Sequence, residues 1–229
     1  MLQADNNHWT SPQLDDEKKA IEQDVALKIA ASKLKAKFVT QTQSLIHADL
    51  HSGSVMCSPA ENQTFVIDPE FAFYGPMGFD VGAFIANLFL AYFSQNGHSN
   101  GAEYADWILE QIRVFWTTFE SGFVELWNDE SEHTGMAFKR VMLGDKDAIE
   151  AAQKDFMAEV FSDTMGFAGM KMLRRVVGIA HVEDLESITD PDVRAGCERR
   201  ALQTAKAFIK GASDLKGIDD AIKIAKECK

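Results

Sequence analysis

The stretch Leu45-Ile46-His47-Ala48-Asp49-Leu50-His51-Ser52-Gly53-Ser54 decides how this chain is read. Nineteen residues after Asp49 comes a second acid, in Val66-Ile67-Asp68-Pro69-Glu70. Each acid follows a short apolar run, Leu45-Ile46 in one case and Phe65-Val66-Ile67 in the other, of the kind that makes a buried strand. His-x-Asp alone also fits an ordinary surface loop followed by a hairpin that ends in a capping Asp. Two acids, each set after an apolar run, suit phosphoryl transfer better. That chemistry needs one carboxylate to orient the attacking hydroxyl and another to hold Mg²⁺ against nucleotide phosphates.

His-x-Asp-Leu, a loop and then hydrophobic-Asp resembles the pair of acids in protein-kinase-like folds. Residues 45–56, followed by Val66-Ile67-Asp68-Pro69-Glu70-Phe71-Ala72-Phe73-Tyr74-Gly75-Pro76-Met77-Gly78-Phe79-Asp80-Val81-Gly82, are similar to the catalytic core of the methylthioribose kinase family. That family is a branch of the aminoglycoside phosphotransferase and choline kinase superfamily. Further similarity over residues 26–38 and 172–185 extends the resemblance to most of the chain. It implies a mainly α fold with a small β-hairpin, the C-terminal helical lobe of a protein-kinase-like fold. It also implies ATP and Mg²⁺ as cofactors and, as substrate, the anomeric hydroxyl of 5-methylthioribose in methionine salvage. Two alternatives stay open: an aminoglycoside-, choline- or homoserine-type phosphotransferase, and a catalytically silent lobe acting as an interaction module.

The resemblance assigns roles residue by residue. Asp49 is the expected catalytic base and substrate contact, and Asp68 the expected metal ligand. Glu70 joins Asp68 if the segment is extended, because i and i+2 then share a face. Ser54 stands where most of the superfamily has a metal-binding Asn, as is usual in methylthioribose kinases, and is assigned to metal and phosphate. His51 is a candidate phosphate contact, while His47 and Asp80 are expected to hold the loop. Ala48 replaces a more usual Gly, at a cost on the order of 1 kcal/mol if its φ is positive. Arg174 and Arg175 lie in an apolar helical run and point about 100° apart, so both are unlikely to be idle surface charges. Their forked donors suit phosphate and vicinal hydroxyls, and the family resemblance gives them the sugar. One buried ion pair and one solvated charge is the competing reading.

Composition sets outer bounds. With 229 residues and 46% apolar content, the chain can bury one substantial core. A net charge of −12 argues against nucleic acid as a partner. Cys57, Cys197 and Cys228 show neither zinc-ligand spacing nor an even count, which favours a reducing compartment. No signal peptide is visible, and the apolar stretch 81–93 is short for a bilayer span. The expectation is a cytoplasmic protein without a membrane partner, with a homodimer left open.

Along the chain, residues 1–13 are expected to be a disordered lead and 14–229 the catalytic lobe. Ile21, Val25 and Ile29 recur every four positions and predict one helix over 14–38. A hairpin is expected around 58–63 and a loop over 71–79. Helices follow near 80–95, 101–128, 146–183 (with at least one break) and 191–210, the last started by Asp190-Pro191. Nothing before Asp49 supplies a Gly-rich strand turn or a strand lysine. Relative to the family, the N-terminal lobe is therefore expected to be absent and the isolated chain inactive.

Overall fold

A computed structural model describes residues 6–98, 101–129 and 144–228. It is mainly helical, with four short strands forming two separate antiparallel pairs.

The single helix expected over 14–38 is two helices, α1 (Asp15–Gln23) and α2 (Val25–Thr40). Asp24 causes the break. Its carboxylate accepts from the Leu27 N–H at 2.9 Å and from Lys210 Nζ at 2.9 Å, so it starts a new helix instead of continuing the old one. The Lys210 ammonium, together with the Leu27 N–H, holds the Asp24 carboxyl below its ordinary value. The new phase exposes Val25 and Ile29 and buries Leu27 and Leu34 instead.

Next come β1 (Ser44–Ile46), β2 (Val55–Ser58), β3 (Gln63–Val66) and β4 (Phe73–Gly75). β2 and β3 form the expected hairpin, with Val55 opposite Val66 and Ser58 opposite Gln63. Asn62 turns it at φ 50°, a left-handed conformation that asparagine tolerates. The segment expected as loop over 71–79 instead contains β4, paired with β1, and the start of the next helix. The apolar runs expected to be buried are largely open. Leu45 is 65% exposed, Phe65 53% and Val66 58%: the two strand pairs are separate, and β3 is open on both faces, since Phe65 and Val66 point to opposite sides.

The core lies among α3 (Met77–Ser94), α4 (Gly101–Asn128), α5 (Lys146–Val177) and α7 (Pro191–Gly211), with α6 (Glu183–Glu186) and α8 (Ile218–Glu227) closing its edges. α5 runs unbroken to Val177, and the break expected within 146–183 falls at residues 178–182, before α6. α3 is central. The window Met77–Gly97 has the length and apolarity to cross a membrane, but 72% of it is buried among the other helices. α3 and α5 touch backbone to backbone: a Cβ on Gly82 would lie 2.4 Å from the Thr164 carbonyl oxygen. Gly169 brings α5 equally close to α7, where its Cβ would meet the Ala205 oxygen at 2.6 Å. Asp190 caps α7 as expected, accepting from the N–H groups of Asp192 and Val193.

In the expected disordered lead, residues 1–5 lie outside the described residues. The described part makes defined contacts: His8 N–H donates to the Gly178 oxygen (3.2 Å) and Trp9 Nε1 to Asp15 Oδ1 (2.8 Å). Beneath it lies Glu198, only 2% exposed, with one carboxylate oxygen lacking any partner among the described residues. Burial outweighs its Thr10 hydrogen bond and pushes the Glu198 carboxyl up to about 7. A glutamate whose folded value is raised gives its full stabilisation below the unfolded value of 4.5, and loses it as pH rises through 7. Glu198→Gln should therefore stabilise the chain at pH 8 by on the order of 2 kcal/mol. Urea unfolding of both proteins at pH 5 and pH 8 measures this, and identical pH profiles would remove Glu198 from the explanation.

Candidate active site

The loop after β1 is built on Asp80, in the first turn of α3. Its carboxylate accepts from the main-chain N–H groups of His47 (2.5 Å) and Ala48 (3.0 Å). Burial pushes the Asp80 carboxyl up against the opposing pull of these two donors. Ala48 has φ 69°, a left-handed conformation that costs a residue with a Cβ about 1–2 kcal/mol. Part of that cost returns in a more restricted unfolded chain. Ala48→Gly should thus raise stability by about 0.5–1 kcal/mol in denaturant titrations. No gain would mean that the loop relaxes around alanine.

His47 joins the two acidic segments. Its Nε2 lies 2.8 Å from the Ile67 carbonyl oxygen, which can only accept, so Nε2 carries the proton. Nδ1 is then free to accept from the Asp49 N–H, at 3.3 Å. Ser54 makes a second link: its hydroxyl donates to the Asp49 carbonyl (3.1 Å), and its own carbonyl accepts from the Ile67 N–H (2.9 Å). The structure thus brings together Asp49, Ser54 and the residue immediately before Asp68. His51 turns inward, with Nδ1 accepting from the Gly53 N–H (3.0 Å) and Nε2 lying 3.7 Å from Asp49 Oδ2.

Asp68 is exposed and left-handed, with φ 66°. Its carboxylate has no hydrogen-bond or ion-pair partner among the described residues. Strain of this kind persists where the surroundings over-determine it, and it gathers at ligand sites. The reason for grouping Glu70 with Asp68 fails, however. After Asp68 the chain turns, with the Ala72 N–H bonded to the Pro69 oxygen at 3.0 Å, so Glu70 is in a turn and strand alternation does not apply.

The other side of Asp49 is α5. Lys171 Nζ lies 3.6 Å from Asp49 Oδ1 and 4.5 Å above the centroid of the Phe79 ring. Lys171 is a site residue that the sequence reading missed. Its signal is spacing, since Lys171, Arg174 and Arg175 stand at i, i+3 and i+4 and share one helix face. Burial lowers the Lys171 ammonium from its ordinary value, the Asp49 carboxylate pulls it back, and the two arginines lower it further. Burial, and then Arg174, lower Arg175. Both arginines are half-buried, and neither has an ion-pair partner among the described residues. The ion pair required by the competing reading is not found among the described residues. Lys171 and Arg174 also line a cavity of about 970 Å³ between α2 and α5, floored by Leu34, Phe38, Phe79 and Phe167.

A helical lobe that carries two hydrogen-bonded acidic loops, with a cationic helix face against one of them, has the make-up of a kinase-like phosphotransferase lobe. Residues 2–108 match the phosphotransferase enzyme family. Over nearly its whole length the chain is similar to methylthioribose kinases. It is 48% identical over 223 residues to methylthioribose kinase 1 of Oryza sativa subsp. japonica, covering 96% of this chain and 51% of that protein. It is 43% identical over 228 residues to the methylthioribose kinase of Escherichia coli O45:K1, covering 97% and 54%. The Geobacillus thermodenitrificans methylthioribose kinase is 40% identical over 197 residues, covering 86% and 45%. The chain spans about half the length of the curated relatives it matches.

Proposed function

We propose that this lobe, completed by the remaining length of such a kinase, transfers the γ-phosphoryl group of ATP to the anomeric hydroxyl of 5-methylthioribose. The observation that carries the reading is the joint placement of Asp49. His47 and Ser54 bind its backbone to the Ile67–Asp68 segment, and Lys171 stands at its carboxylate. Asp49 orients the attacking hydroxyl and accepts its proton. An ordinary carboxylate suffices, because phosphoryl transfer depends on positioning more than on base strength. Asp68, with its unpartnered carboxylate, fits a Mg²⁺ ligand, and the Ser54 hydroxyl retains lone pairs after donating to Asp49. Glu70 is the weaker metal candidate. The chemistry supplied by bound Mg²⁺ is charge neutralisation at the phosphate oxygens. His51, whose Nε2 lies 3.7 Å from Asp49 Oδ2, is assigned to the phosphate, and Lys171, Arg174 and Arg175 to anionic phosphate and sugar hydroxyls.

The same three cations oppose a choline- or aminoglycoside-type reading, because a cationic substrate would be repelled there. The exposed apolar side chains Leu45, Phe65 and Val66 are, in this proposal, covered by the part of the relatives' length that this chain does not match.

The test fuses this chain to the part of rice methylthioribose kinase 1 that it does not match. Methylthioribose, choline and an aminoglycoside are then compared as acceptors. Turnover with methylthioribose alone supports the proposal, and preference for a cationic acceptor overturns it. In the same fusion, Arg174→Lys and Arg175→Lys keep the charge but lose the planar fork, so each should lower kcat/KM for methylthioribose by tenfold or more. Two lysine variants with unchanged kinetics would make the pair structural.

A further inference from the structure

Away from this site, the residues after α5 form a donor cluster that phosphoryl transfer does not use. His8, His181 and Glu186 each place one ligand atom within 4.8 Å of the others. The geometry favours one tautomer of His181. His181 Nε2 lies 3.1 Å from the Gly178 carbonyl oxygen, and a carbonyl only accepts, so the proton sits on Nε2. Nδ1 therefore presents a bare lone pair, and what it faces is Glu186 Oε1, 3.7 Å away. Two electron-rich atoms 3.7 Å apart form a donor pair that a cation can bridge. The His8 ring stacks at 3.8 Å from that of His181, with its side chain exposed and able to turn toward the same point.

We propose that His181 Nδ1, Glu186 and His8 form a binding site for a divalent cation of the zinc class. Two nitrogens and one carboxylate oxygen suit a borderline-soft ion and leave a fourth position for water. Bonds of about 2.0–2.1 Å in a tetrahedron place ligand atoms roughly 3.3 Å apart. The 3.7 Å between His181 and Glu186 is within a small side-chain adjustment of that value. A metal-ligating histidine ordinarily donates its other ring N–H to a carbonyl or carboxylate, and Gly178 already provides that partner.

The location gives the site a consequence. The Gly178 oxygen accepts from both His8 N–H and His181, while its own N–H donates to the Arg174 carbonyl at 3.0 Å. An ion held here clamps the N-terminal lead onto the end of the helix that bears Lys171, Arg174 and Arg175. None of the three cysteines takes part.

The test is a zinc titration of the 229-residue chain followed by calorimetry, with Co²⁺ substitution to read coordination from its visible absorption. The expected result is one tight zinc per chain, not displaced by Mg²⁺, with the intense absorption of four-coordinate cobalt. His8→Ala and Glu186→Gln alter exposed side chains and leave the core intact, so each should weaken zinc by at least tenfold. Wild-type affinity in both variants overturns the proposal. So does loss of binding in Cys57→Ser with His8→Ala unaffected, which would assign the ion to the exposed thiol.

Discussion

In the fusion described above, Asp49→Asn will lower phosphoryl transfer roughly 10²- to 10⁴-fold, the usual worth of a positioned proton acceptor. Nucleotide affinity will hardly change. The substitution isolates the chemistry because the loop does not depend on this carboxylate. The main-chain N–H of Asp49 is held by His47 Nδ1 and its carbonyl by the Ser54 hydroxyl, and both bonds survive in asparagine. Asparagine has the same shape but neither accepts the proton nor balances Lys171, 3.6 Å away. The loss should therefore fall on kcat, with KM for ATP close to wild type, as for an interaction made only on the way to the transition state. Turnover within a few-fold of wild type would mean that another group receives the proton, and the assignment of Asp49 would fall.

Much of this arrangement was legible because it is local. His47, Asp49 and Ser54 lie within eight consecutive residues, and the hairpin that returns the chain to Asp68 is equally local. The long helices were legible too, since α4 and α7 have sustained apolar periodicity and α7 carries its Asp190-Pro191 start. Several of the failures were decided by atoms distant in sequence. Asp24 breaks the first helix with help from Lys210, almost at the other end of the chain. β1 and β4 are three-residue strands that pair across the whole hairpin, too short to show any period. α8 was overlooked, although Ile218, Ala221, Ile222 and Ala225 bury a regular helical stripe. Lys171 was missed because nothing near it in sequence suggested that α5 would pass beside Asp49. The alternation argument for Glu70 failed for a different reason: a positive φ at Asp68 turns the chain, and no pattern of residue types reports that.

That positive φ shapes the other large effect. If Asp68 is the principal metal ligand, neutralising it will weaken Mg²⁺-dependent nucleotide binding by more than the roughly 10- to 100-fold lost when an outer partner of a metal ligand is removed. The choice of substitution matters. Asp68→Ala deletes the carboxylate but also puts a poorly tolerant residue at φ 66°, adding about 1–2 kcal/mol of strain to a loop that Ile67 ties to His47 and Ser54. Its phenotype would mix ligand loss with loop displacement. Asparagine is among the few residues other than glycine that accept this conformation, so Asp68→Asn preserves the loop and removes only the charge. Glu70→Gln, in the neighbouring turn, should cost much less, because phosphates and water fill the remaining positions around Mg²⁺. Titrating Mg²⁺ against nucleotide binding in the fused protein separates these cases. Asp68→Asn should lose metal dependence without losing thermal stability, and Glu70→Gln should shift the Mg²⁺ midpoint only slightly. The reverse order would make Glu70 the ligand and leave the strained backbone at Asp68 as a device for aiming the turn that carries it.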